Sequence, residues 1–128
     1  MRVSVVIPAL NEAGNIGRLV EETYAVIPSD MLGEVIVVDD CSEDSTPGEV
    51  KTLIARGNLQ GLRYLRHSVR SGQSAAMRTG ILAAAYPVIA TMDGDGQNDP
   101  RDIPKLLERL GAPGSKGPAL VGGVRTDR

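Results

Sequence analysis

Short runs of β-branched and aliphatic residues alternate along this chain with segments whose apolar positions recur every three or four residues. VSVVI (3–7), EVIVV (34–38), LRYLR (62–66), PVIATM (87–92) and ALVGG (119–123) read as five strands. Between the first two, Ile16, Leu19, Val20, Thr23 and Ile27 form one face of a helix, and Val50, Leu53 and Ile54 do the same over 47–56. Over 74–85 the face is Ala75, Ala76, Thr79, Gly80 and Ala83, almost without bulk, which lets a helix lie close against a sheet. A last helix carries Ile103, Leu106, Leu107 and Leu110, with Asp99 as its N-cap and Pro100 at its first position. Strand–helix alternation predicts an α/β fold with a mostly parallel sheet covered on both faces.

Composition narrows the classes of partner. A chain of 128 residues fits one domain. A net charge of −2 and a pI near 5.4 leave no footprint for nucleic acid, and the absence of Phe and Trp removes the platforms on which single strands stack. The single cysteine, Cys41, excludes an internal disulfide and fits a reducing compartment. The longest apolar stretch, ILAAAYPVIATM, is too short to span a bilayer and contains Pro87, so the chain reads as soluble and cytoplasmic. After the fifth strand come only VRTDR, without a helix to cover that sheet edge. The expectation is one domain over 1–128 that is incomplete at its C-terminus.

The chemistry gathers where strands end. PALNEAGN, DDCSEDST, RSGQSAAMRTG and DGDGQNDP each follow a strand, and in a parallel sheet those loops converge on one crevice. Asp39 and Asp40 end the second strand pointing opposite ways; the expectation is a structural Asp39 and a ligand-facing Asp40. Asp93 and Asp95, separated by one glycine, repel unless a cation joins them. An EF-hand fails, because its sixth and twelfth positions counted from Asp93 hold Asn98 and Pro104. The alternative is Mg²⁺ or Mn²⁺ shared with substrate phosphates, with Gln97 adding a neutral oxygen. Asp99 is read as a helix cap rather than a ligand. Arg125 can pair with phosphate or stay solvated. Neither GxGxxG nor GxxxxGK[ST] occurs, which sets aside dinucleotide oxidoreductases and P-loop NTPases.

VSVVIPALNEAGNI, VIVVDDCSEDST, RSGQSAAMRTGI and MDGDGQNDPRDI, in this order, resemble the nucleotide-binding half of family-two glycosyltransferases, in particular the polyprenyl-phosphate group of dolichyl-phosphate mannose synthase. The resemblance implies a three-layer Rossmann-like GT-A fold. It also implies a metal-dependent inverting transfer of a sugar from a UDP- or GDP-sugar to a polyprenyl or dolichyl phosphate, which would bring the chain to the inner face of a membrane. By resemblance Pro8, Leu10 and Glu12 line the nucleotide pocket, and Val38 and Asp40 contact the base. Asp93, Gly94 and Asp95 would form the metal and diphosphate site, with Asp93 and Asp95 the catalytic pair. Gln97 would complete the metal's shell, and Arg125 would contact phosphate. Two positions depart from the family pattern: Leu10 stands where many members have an aromatic residue, and Cys41 where glycine is common. The competing readings are a sugar nucleotidyltransferase and a nucleotide-binding module without transfer activity.

Overall fold

The structure, a computed structural model, describes residues 2–92, 99–110 and 119–121. In chain order its elements are β1 (Val3–Ala9), α1 (Ile16–Val26), β2 (Leu32–Asp39), α2 (Thr46–Arg56), β3 (Leu62–Arg66), α3 (Gln73–Ala83), β4 (Val88–Thr91), α4 (Asp102–Leu110) and β5 (Ala119–Val121). The strands pair in the order β3-β2-β1-β4-β5, every pairing parallel. The predicted parallel α/β fold is the one observed.

Both faces of the sheet are covered, which is why β1 and β2 read as nearly continuous Val and Ile rather than as alternating apolar and polar residues. On one face Val3, Val5, Ile7, Val35 and Val37 pack with Ile16, Leu19 and Val20 of α1, Val50 and Leu53 of α2, and Ile103 and Leu107 of α4. On the other, Val6, Ile36 and Val38 meet Ala76 of α3. A Cβ at Gly80 would run into Val6 Cγ1 and come within 3.2 Å of Val38 Cγ2, so the small face of α3 is what seats that helix on β1 and β2.

Two local expectations change. Ile54 is 39% exposed, because the buried stripe of α2 runs through Thr46, Val50 and Leu53 and leaves position 54 on its flank. Helix α4 starts at Asp102 rather than at Pro100. A tight turn precedes it, in which the Asp102 and Ile103 amides donate to the Asp99 and Pro100 carbonyls. Asp99 closes that turn instead of capping the helix, accepting the Arg101 amide at 3.0 Å.

Strand order reverses between β1 and β4. From β1 the chain first builds outward to β3, then returns to add β4 and β5 on the other side. In open parallel sheets such a reversal marks the place, at the carboxyl ends of the strands, where a ligand crevice forms. Pairing of β1 with β4 stops at Val6, whereas pairing with β2 continues to Ala9. Pro8 thus sits where only one neighbour is bonded, a place that tolerates its missing N–H.

Candidate functional site

The wall of the crevice is built by two loops that bind each other. Four successive backbone amides of the β1–α1 loop donate to side chains that follow β2: Asn11 to Ser42 Oγ (2.8 Å), Glu12 to Thr46 Oγ1 (2.9 Å), Ala13 to Asp44 Oδ2 (3.2 Å) and Gly14 to Glu49 Oε2 (2.7 Å). In return the Glu43 amide donates to Asn11 Oδ1 at 2.8 Å. The Thr46 hydroxyl and amide, with the Ala13 amide, hold the Asp44 carboxyl below the ordinary carboxylate range. This explains the acid and hydroxyl content of CSEDST better than a ligand does. Amides in this position cradle a pyrophosphate in dinucleotide folds, and here they already face protein oxygens.

The turn has a cost in backbone strain. Asn11 has φ 51° and Cys41 φ 69°, both in the left-handed region. Asn tolerates that region, but Cys does so poorly. Glycine is the residue this geometry favours at position 41.

Asp39 and Asp40 do point to opposite faces, and both are buried. Asp39 accepts from the Ser42 amide (2.7 Å), the Tyr64 hydroxyl (2.6 Å) and Arg66 Nη1 (3.2 Å). Burial and that bond to Asp39 push the Tyr64 hydroxyl up to about 12. Asp40 is no less engaged: Oδ1 faces His67 Nδ1 (2.9 Å) and the Ser71 amide (2.8 Å), and Oδ2 the Gly72 amide (2.8 Å). Burial works to raise the Asp40 carboxyl, but His67 and the two amides outweigh it and hold the group below its usual range. A carboxylate offers about four acceptor positions, so one remains. Asp39 is held by the fold, and so is the expected ligand-facing Asp40, which keeps one acceptor position to spare.

The other expected residues distribute unevenly. Pro8 and Val38 are register partners at the floor of the crevice. Val38 is fully buried beside Gly80, and it is also in register with Leu65 of β3. Leu10 and Glu12 are half-buried at the mouth. Asp93, Gly94, Asp95, Gln97 and Arg125 lie outside the described residues; the first four fall between buried Met92, whose amide donates to Val6, and Asp99. Their donor set, two carboxylates and an amide oxygen, fits Mg²⁺ or Mn²⁺. Among the described residues no three His, Cys, Asp or Glu side chains form a cation site. Sequence reading gave no site role to His67, Tyr64, Arg66 or Glu49, and it placed DDCSEDST at the site without the bonds its side chains make. A lone histidine one residue past a strand, level with a paired-acid strand end, was the available signal.

The strand order reverses between β1 and β4, and the chain belongs to Glycosyl transferase family 2, matched over residues 4–125. It is 41% identical over 111 residues to the dodecaprenyl-phosphate galacturonate synthase of Rhizobium johnstonii, covering 86% of this chain and 32% of that protein. To the dolichol-phosphate mannosyltransferase of Pyrococcus furiosus it is 34% identical over 113 residues, 86% of this chain and 30% of the relative. The mannosyltransferase of Pyrobaculum calidifontis, solved with GDP-Man and Mn²⁺, superposes with a TM-score of 0.77 at 30% identity, over 88% of this chain and 33% of that one. The chain thus spans about a third of the length of these relatives. Among the described residues no helix is long and apolar enough to cross a membrane.

Proposed function

We propose that this chain supplies the donor half of a metal-dependent, inverting glycosyltransferase that moves a sugar from a UDP- or GDP-sugar to a polyprenyl phosphate. The observation that carries the reading is the occupied β1–α1 loop. Its amides at Asn11 to Gly14 already face Ser42, Thr46, Asp44 and Glu49, so a diphosphate in the crevice needs its charge met elsewhere. The loop after β4 is the place with the chemistry for that. Asp93, Asp95 and Gln97 would hold Mg²⁺ or Mn²⁺ there, and the ion, when bound, supplies positive charge to the diphosphate oxygens.

In the inverting reaction a lipid-phosphate oxygen forms a bond to the anomeric carbon as the bond to the nucleoside diphosphate breaks on the opposite face. Within that scheme this chain's residues orient and bind. Pro8 and the Val38 backbone form the floor, Leu10 and Glu12 the mouth, and Asp40 offers its remaining acceptor position to the base. Arg125 would pair with a phosphate as a bidentate donor. The relatives named for polyprenyl- and dolichol-phosphate products support a lipid-phosphate acceptor.

A nucleotidyltransferase is the competing enzyme, and it needs cations and free amides after the first strand; PALNEAGN has no Lys or Arg. The test incubates the protein with UDP- and GDP-sugars, Mn²⁺ and a short-chain polyprenyl phosphate. Release of nucleoside diphosphate with label in the lipid extract supports transfer. Release of pyrophosphate from sugar phosphate and nucleoside triphosphate would favour the competitor.

A further inference from the structure

His67, the only histidine of the chain, lies one residue past β3. Its ring bridges two elements: Nδ1 is 2.9 Å from Asp40 Oδ1, past the end of β2, and Nε2 is 2.8 Å from Thr79 Oγ1 in α3. The ionised Asp40 only accepts, so Nδ1 donates to it. The Thr79 hydroxyl also lies 3.0 Å from the Ala75 carbonyl. It can donate to Nε2, or accept from Nε2–H while donating to Ala75, so the bridge is satisfied with the ring neutral or charged.

The same carboxylate takes the Ser71 and Gly72 amides, each at 2.8 Å, and the His67 amide donates to the Asp39 carbonyl at 2.9 Å. The Ser68–Gly72 loop is therefore pinned at both ends to the close of β2. Between the pins Val69 is 66% exposed and Arg70 is exposed. Packing of α3 on the sheet is supplied by Val6, Val38 and Ala76, below the bridge. What the histidine adds is orientation where the strands end.

We propose that His67 is a positioning residue for the donor nucleotide. By spanning Asp40 and Thr79 it holds the Ser68–Gly72 loop and the start of α3 as one wall of the crevice; this rests on the nucleotide-sugar reading above. An amide at the Nδ1 position should preserve the bond to Asp40, and one at the Nε2 position the bond to Thr79. His67→Asn and His67→Gln thus separate the two halves of the bridge.

The experiment measures amide exchange at Ser71 and Gly72, and the affinity for UDP and GDP with Mn²⁺, in wild type, His67→Ala, His67→Asn and His67→Gln. His67→Ala is expected to speed exchange at both amides and to weaken nucleotide binding by about tenfold or more, the scale of one charge-assisted hydrogen bond. His67→Asn should recover most of both, and His67→Gln little. Glu34→Gln, at the far end of the sheet, serves as a destabilised control whose nucleotide affinity should match wild type. Unchanged exchange in His67→Ala overturns the pinning irrespective of any ligand. Faster exchange with affinity within twofold of wild type overturns the positioning role, as does His67→Asn behaving like His67→Ala. A wild type that binds neither nucleotide overturns the donor reading and the positioning role with it.

Discussion

Replacing Asp40 with Asn separates the site as folded from the site as a free ligand carboxylate. Three groups face Asp40 as donors: His67 Nδ1 and the Ser71 amide at Oδ1, the Gly72 amide at Oδ2. In Asp40→Asn one oxygen becomes an NH₂ group that must face at least one of these donors. The residue is 3% exposed, so water cannot make good the loss. A buried charge-assisted bond lost in this way costs roughly 1.5–3 kcal/mol. With an unfolding entropy of about 2.1 cal/mol/K per residue, a chain of this length loses about 4 °C of Tm per kcal/mol, so the drop expected at pH 7 is about 6–11 °C. Acid should erase the difference. The folded-state pKa of Asp40 is depressed, so its contribution is complete above the ordinary Asp range and is lost as pH falls through the folded value. Thermal melts of both proteins at pH 7 and at successively lower pH supply the assay. An Asp40→Asn variant that melts within a degree or two of wild type at pH 7 would refute the reasoning and restore Asp40 as a free ligand group.

Three further outcomes follow from particular contacts. Cys41→Gly relieves a non-glycine residue at φ 69° and should raise Tm by a few degrees, since left-handed backbone costs roughly 1–2 kcal/mol, while Cys41→Val should lower it; differential scanning calorimetry decides. Gly80→Ala places a methyl against Val6 and Val38 and should cost about 1–3 kcal/mol by overpacking, read as a lower urea midpoint with unchanged slope. Glu34 accepts from Ser4 Oγ (2.6 Å), the Ala85 amide (2.6 Å) and Arg63 Nη1 (2.9 Å). Burial raises its carboxyl, but these bonds outweigh that and leave the pKa depressed, so Glu34→Gln should lose stability at pH 7 and converge on wild type in acid.

Most of the architecture was legible because parallel strands buried on both faces must be written in Val and Ile, and the helices between them in three- and four-residue spacings. The small face of α3 carried its own packing instruction in Gly80. Element ends were less legible: Asp99 closes a tight turn rather than capping the helix, which begins only at Asp102. The site was legible as a set of loops but not as a set of bonds. Spacing along the chain places Asp39 and Asp40 on opposite faces, but it cannot say that Ser71 and Gly72, some thirty residues on, close around the second. Nor can it say that Ser42, Thr46 and Asp44 answer the amides of Asn11, Glu12 and Ala13. Those pairings depend on how far neighbouring loops lean toward each other, which only tertiary packing sets.

The central claim is that the crevice takes a nucleoside diphosphate only together with a divalent ion held by the loop after β4. Melting curves with Mn²⁺ alone, with UDP or GDP alone, and with both test it most directly, repeated on Asp95→Asn. At about a hundred times Kd a ligand stabilises by about 2.7 kcal/mol, so one nucleotide with Mn²⁺ should raise Tm by about 10 °C. Either component alone should do little, and Asp95→Asn should lose the joint effect. Additive or absent stabilisation, or an undiminished effect in Asp95→Asn, would contradict the account.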